Sequence, residues 1–102
     1  MKREPTHDLE AIQAAVRTRR YRITRVARDG AAEAGLDEAD IRACIATLDL
    51  GDFYKSMESD QRPGVWQDVY RPRYLGRNLY VKLQVDPPSG VAIVSFKKDQ
   101  SR

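Results

Sequence analysis

The stretch Asn78-Leu79-Tyr80-Val81-Lys82-Leu83-Gln84-Val85-Asp86 decides the fold. Its aliphatic residues Leu79, Val81, Leu83 and Val85 occupy every second position, with Tyr80, Lys82 and Gln84 between them. In an extended chain successive side chains point to opposite faces, so the first set lines one face and the second the other. A helix would scatter both sets around its circumference. Outward from this strand the same period recurs. Val91–Lys98 follows, across the turn residues Pro87-Pro88-Ser89-Gly90. Asp52–Glu58 and Val65–Arg71 precede it, bounded by Arg62-Pro63-Gly64 and by the segment from Pro72 to Gly76. Connections this short join antiparallel neighbours, because parallel pairs need long crossovers, so the four strands form a meander.

Before Gly51 the period is helical. Leu9, Ile12 and Val16 recur at three and four residues, with Thr6 or Asp8 as the N-cap. Tyr21-Arg22-Ile23-Thr24 has the composition of a short strand. A weaker helix runs from Arg25 to Gly35, with Asp29-Gly30 against it at mid-length. Asp37 caps a further helix whose apolar stripe is Ile41, Cys44, Ile45 and Leu48, with Leu50-Gly51 as its close. Helices first and strands after predict an α+β domain, N-terminal helices packed on one face of a mainly antiparallel sheet. The 102 residues, with no repeat or linker, are expected to form a single domain, 1–102.

Strand parity then sorts the remaining side chains. Leu79, Val81, Leu83 and Val85 go to the covered face, as do Ala92, Val94 and Phe96, with Ile93, Ser95 and Lys97 opposite. Trp66 and Tyr70 suit the core, as do Tyr54 and Ser56, leaving Phe53, Lys55 and Met57 outside. The open face therefore carries Lys55, Gln67, Arg71, Tyr80, Lys82, Gln84 and Lys97. Two readings of it stand: a surface for single-stranded RNA, or an ordinary solvent-facing sheet. A bulge in any strand flips part of this assignment. Parity also puts the carboxylate of Asp68 among the core residues, where an arginine of the helical half is the expected partner.

Charge leaves both readings open, a polyanionic partner or a solvated surface with a few extra lysines. Residues 1–49 balance nine basic against nine acidic side chains, whereas residues 50–98 hold eight basic and five acidic. A basic surplus in one half suits a polyanionic partner. No apolar run approaches the roughly 20 residues that cross a bilayer, and the charged N-terminus has no apolar stretch behind it. With the single Cys44, which permits no internal disulfide or redox pair, this predicts a cytoplasmic protein with no membrane partner.

Several chemistries are excluded by residue count. His7 is the sole histidine, so a two-histidine ribonuclease mechanism is impossible. No clustered acidic pair suits a two-metal nuclease, and there is no glycine-rich phosphate loop, nucleophile elbow or HExxH. Neither a metal nor another cofactor is expected. Cys44 lies on an apolar stripe and reads as an inert core thiol. RNA cleavage needs none of these groups, since the ribose 2′-hydroxyl can attack the adjacent phosphate. Something must take its proton, something must protonate the leaving 5′-oxygen, and cations must stabilise the phosphorane-like transition state.

Longer motifs carry a resemblance. Asp52-Phe53-Tyr54-Lys55-Ser56-Met57, Trp66-Gln67-Asp68-Val69-Tyr70-Arg71-Pro72, Leu79-Tyr80-Val81-Lys82 and Val94-Ser95-Phe96-Lys97 are similar to the signature segments of the motility quorum-sensing regulator (MqsR) toxins. The resemblance runs almost end to end and is weaker in the helical half. It implies a RelE-like fold and an mRNA interferase that cuts messages at short sites beginning with G-C, such as GCU. It also implies a cognate, MqsA-like antitoxin protein. The family's proposed active-site residues fall on Lys55, Gln67, Tyr80 and Lys97, all assigned to the open face by parity. Arg71, Lys82 and Arg73 are expected as supporting RNA-binding cations. The Pro87–Gly90 turn and the C-terminal tail depart from the family pattern. Two rival functions remain: a non-catalytic RNA-binding module on the same face, and a regulator acting only through a DNA-binding partner. Against the latter, no basic recognition helix is present.

Overall fold

A computed structural model describes residues 1–87 and 90–101. Its elements run α1 (Leu9–Arg17), β1 (Tyr21–Ile23), α2 (Arg25–Glu33), α3 (Glu38–Ala46), a 3-10 turn (Leu50–Asp52), β2 (Phe53–Glu58), β3 (Trp66–Tyr70), β4 (Arg73–Tyr74), β5 (Arg77–Asp86) and β6 (Gly90–Lys98). The class is α+β, as the patterning predicts. Each helix starts at a side-chain cap that satisfies a backbone N–H left over in the first turn. Asp8 accepts from Glu10, Thr24 from Ala27, and Asp37 with Asp40 forms a reciprocal box. The third helix ends at Thr47, earlier than expected, and Leu50-Gly51 instead opens the 3-10 turn into β2.

The main sheet has the order β1-β6-β5-β3-β2, with β4 folded back on β5. Three features go beyond the predicted meander. The short β1 pairs parallel to β6, Tyr21 opposite Val91. The segment expected as a plain turn after Pro72 contains β4, whose Arg73 pairs with Asn78. Lys2 bridges Ser56 through two backbone hydrogen bonds of 2.7 and 2.8 Å, so the chain's own N-terminus occupies part of the outer edge of β2. Of the Pro87–Gly90 turn, Pro88 and Ser89 lie outside the described residues.

The core forms between the helices and one sheet face. Leu9, Ile12, Val16, Ala27, Ala31, Ile41, Cys44 and Ile45 meet Tyr70, Leu79, Val81, Leu83, Val91, Ile93 and Phe96. Two bulges correct the parity assignment. In β2 the register slips between Phe53 and Lys55, so Phe53 pairs with Tyr70 on the covered side, their rings edge-on at 5.6 Å, and Tyr54 is released to the open face. In β6, Lys82 faces Ser95 but Leu83 faces Ile93, leaving Val94 as the extra residue. Ile93 therefore belongs to the core and Ala92 to the open face opposite Gln84, the reverse of strict alternation, while Phe96 and Lys97 keep their expected sides. Thr24 holds this bulge, its Oγ1 donating to the Val94 carbonyl at 2.9 Å.

Two further local features have physical causes. Gly30, which weakens α2 by propensity, lies against β6. A Cβ there would sit 2.5 Å from the Phe96 carbonyl oxygen and 3.0 Å from the Lys97 Cβ. Only glycine lets the helix approach this closely. Asp68 is fully buried, and its partners are the backbone N–H groups of Thr6 and His7, at 3.0 and 2.8 Å, rather than an arginine. Two charge-assisted hydrogen bonds satisfy the carboxylate and pin the N-terminal segment across that end of the sheet. Trp66 is covered there by Lys2, whose Nζ lies 4.2 Å from the ring centroid.

Candidate active site

The site is built by strand register. In antiparallel pairing, residues directly opposite share a face. One row across the sheet reads Lys55, Val69, Lys82, Ser95 through β2, β3, β5 and β6. The adjacent row pairs Tyr80 with Lys97, and the row on the other side reads Met57, Gln67, Gln84, Ala92. Lys55, Lys82 and Lys97 are thus brought from three strands to one face, Lys55 with its Nζ 5.3 Å from the Tyr54 ring centroid and the other two beside Tyr80. The Lys97 Nζ stands 5.3 Å from the Tyr80 ring centroid and that of Lys82 6.0 Å. Val69 is fully buried although it belongs to the open face. Its neighbours in register are Lys55 and Lys82, long side chains whose aliphatic stems are suited to covering an apolar residue.

The electrostatics follow from this crowding. None of the three lysines forms an ion pair among the described residues. Burial, then the charges of Lys97 and Lys55, pull the Lys82 ammonium below the ordinary lysine range, with Asp60 opposing weakly. Burial, then the neighbouring Tyr54 and Asp99, push the Tyr80 phenol above its ordinary value, against the pull of Arg71. The patch therefore holds a lysine disposed to lose its proton beside a tyrosine disposed to keep its own. That is the pairing general acid–base chemistry uses.

Gln67 stands one row away from this patch. Its amide donates to the Gln84 Oε1 at 2.9 Å, Gln84 donates to Asp86 at 2.6 Å, and Asp86 pairs with Arg22 at 2.7 Å. The chain of bonds fixes one orientation of the Gln67 amide. Arg71 lies at the opposite rim with its guanidinium carbon 4.4 Å from the Tyr54 ring centroid, and its Nε donates to Asp99 at 2.7 Å. Tyr54, Arg71 and Arg73 line a cleft of about 330 Å³ beside the β2 bulge. Arg73 is exposed on the β4 hairpin, away from the lysine patch.

Register thus places Lys55, Gln67, Arg71, Tyr80, Lys82 and Lys97 on the open face. Sequence reasoning missed Tyr54, which the bulge turned outward, and Asp99, which grips Arg71. Lys82, expected as a supporting cation, stands on β5 with Lys55 two strands to one side and Lys97 on the neighbouring strand to the other. His7 is remote from the patch, its Nε2 lying 2.9 Å from the Trp66 carbonyl. Cys44 is buried, which pushes its thiol up to about 12. Among the described residues no group of three or more His, Cys, Asp or Glu side chains is placed to hold a metal ion, and no helix is long and apolar enough to cross a membrane.

An open, cation-rich sheet face backed by helices is that of an α+β protein equipped to meet a polyanion. The comparisons with known proteins specify it further. Residues 4–98 match the family described as motility quorum-sensing regulator, toxin of MqsA. The chain is 40% identical over 97 residues, 95% of its own length and 97% of the relative's, to the mRNA interferase toxin MqsR of Escherichia coli (strain K12). The chain belongs to the motility quorum-sensing regulator toxin family.

Proposed function

We propose that the protein is the toxin of a toxin–antitoxin pair, a single-domain cytoplasmic endoribonuclease that cuts mRNA by 2′-hydroxyl transesterification. The observation that carries this reading is the gathering of Lys55, Lys82 and Lys97 on one sheet face, Lys82 and Lys97 beside Tyr80 and Lys55 beside Tyr54, with no ion pair to a carboxylate among the described residues. An ordinary solvent-facing sheet intersperses opposite charges, whereas three unpaired lysines repel one another and await an anion. We assign the 2′-hydroxyl proton to Lys82, whose own proton is loosened by burial and by the charges of Lys97 and Lys55, as the 2′-oxygen bonds to phosphorus. The bond to the 5′-oxygen breaks, and Tyr80 protonates the departing oxygen. Lys55 and Lys97 stabilise the charge that builds on the phosphoryl oxygens. Gln67, held by Gln84, orients the phosphate or a neighbouring base, while Arg71 and Arg73 hold flanking phosphates.

Family membership supports two finer parts of the proposal. The substrate sites are short sequences beginning with G-C, such as GCU, and an MqsA-like antitoxin neutralises the toxin. Cleavage of a labelled RNA by purified variants tests the site. Lys55→Ala and Tyr80→Phe are each expected to lose most activity, with thermal stability changed by only about 0.5 kcal/mol, as for substitutions outside the core. Full activity in both variants would remove the lysine–tyrosine patch from the mechanism.

A further inference from the structure

The family match ends at Lys98, yet the chain continues directly into the site. The Asp99 N–H donates to the Asn78 carbonyl at 2.8 Å, extending the ladder between β5 and β6 by one residue. That pairing turns the Asp99 carboxylate inward, where its side chain is only 2% exposed. Its Oδ2 accepts from the Arg71 Nε at 2.7 Å. Its Oδ1 accepts from the backbone N–H and hydroxyl of Ser101, at 3.1 and 2.7 Å, and the Ser101 Oγ in turn accepts from the Arg71 Nη2 at 3.0 Å. Burial raises the Asp99 carboxyl, but the bonds from Ser101 and Arg71 outweigh it and keep the group below its ordinary range. The carboxylate is therefore charged at neutral pH and grips the arginine continuously.

Among the described residues, Asp99 and Ser101 hold the guanidinium from one tail, its carbon 4.4 Å from the Tyr54 ring centroid. The same tail forms a wall of a second cleft, about 270 Å³, lined by Tyr80, Lys97, Asp99 and Ser101. Arg71 in turn lines the cleft beside Tyr54. A free arginine side chain samples many rotamers, and the entropy lost on fixing them opposes each phosphate contact it makes. Fixing them beforehand removes that cost from binding.

We infer that Asp99 is a positioning residue of the RNA site: with Ser101 it locks Arg71 in the orientation that meets a phosphate of the bound single strand. The latch lies just past the segment that the family match covers. The inference rests on the proposed reading of the open face as an RNA site. An ion pair serving stability alone would make the same contacts, and its removal would leave RNA binding unaltered or, with one carboxylate fewer on the basic face, tighter.

The test uses the full chain and two RNAs, one cleavable and one with a 2′-deoxy ribose at the cut site. Asp99→Ala should raise KM roughly tenfold, the scale of one charge-assisted hydrogen bond, with kcat changed less than about twofold. Binding of the uncleavable RNA should lose about 0.7 from its log–log salt slope, the contribution of one phosphate contact on a single strand. In an Arg71→Ala background the further change Asp99→Ala should have almost no effect on either quantity, because the two act as one unit. Asp99→Asn keeps the shape and weakens the grip, so it should fall between, and it carries the test if Asp99→Ala fails to fold. A KM unchanged or lowered, or a slope unchanged or steeper, in a folded Asp99 variant, or a full Asp99 effect persisting without Arg71, overturns the latch while leaving the ribonuclease reading intact. A wild-type chain that neither binds nor cuts RNA overturns both.

Discussion

Gly30→Ala sets two physical effects against each other, and the structure decides the sign. In a helix interior alanine is better than glycine by roughly 0.5–1 kcal/mol, so propensity alone predicts a gain. The added methyl would, however, lie 2.5 Å from the Phe96 carbonyl oxygen, 3.0 Å from the Lys97 Cβ and 3.3 Å from the Phe96 carbonyl carbon. The closest of these is about 1 Å short of ordinary van der Waals contact. Two of the three atoms are backbone, so α2 or β6 must move as a unit rather than turn one side chain. Overpacking of this kind costs roughly 1–3 kcal/mol, which exceeds the propensity gain. The expected net loss is about 1–2 kcal/mol, or a fall in Tm on the order of 4–10 °C for a domain of this size. Because the displaced strand carries Lys97, RNA cleavage should fall with it. Thermal and urea denaturation of Gly30→Ala beside the wild type measure the first effect. A Tm equal to or above wild type would refute the packing argument.

Three other outcomes are expected. Tyr70 is fully buried and its hydroxyl has no hydrogen-bond partner among the described residues, with burial pushing it up to about 12, so Tyr70→Phe should hold or raise stability by about 1 kcal/mol; a loss larger than that in urea denaturation would show a missed partner. Lys82→Arg keeps the charge but not the titration. Since the Lys82 ammonium is lowered, wild-type kcat should climb with pH and level off below the range of a free lysine, near 10.4, whereas the variant should lose that rise and drop roughly 100-fold or more. A wild-type pH profile with full rate in Lys82→Arg would exclude it as the base. Cys44, buried with its thiol near 12, should resist alkylation in the native protein, and Cys44→Ala should keep full cleavage while losing about 1 kcal/mol of stability; rapid native-state labelling at pH 8 contradicts its burial.

Much of the layout is readable because alternation is strict where one face must be dry. Leu79, Val81 and Leu83 leave no other way to orient β5, and Tyr80 and Lys82 follow onto the open face. Lys55 and Lys97 reach that face too, although both bulged strands departed from simple alternation, because each slip lies on one side of them. The slips themselves are not legible. The extra residues at Tyr54 and Val94 look like ordinary strand residues, and only the fixed pairing with β3 and β5 reveals them. Asp68 shows a second limit. Its need for a partner could be read from its position, but the answer was backbone some sixty residues away, and backbone leaves no mark in a sequence. Asp99 shows a third, since a lone acidic residue after the last strand resembles a solvated terminus until the ladder is seen to carry it under Arg71.

The central claim is that the RNA supplies its own nucleophile and the protein's lysines and tyrosine supply the rest. The most direct measurement compares two short RNAs containing a G-C-initiated site, identical except that one has a 2′-deoxy ribose at the cut position, incubated with the purified protein in EDTA. The all-ribose strand should be cut to a 2′,3′-cyclic phosphate, or the monophosphate it opens to, and a free 5′-hydroxyl, while the 2′-deoxy strand stays whole. Cutting of the 2′-deoxy strand, 5′-phosphate ends, or activity lost in EDTA and restored by magnesium would contradict it.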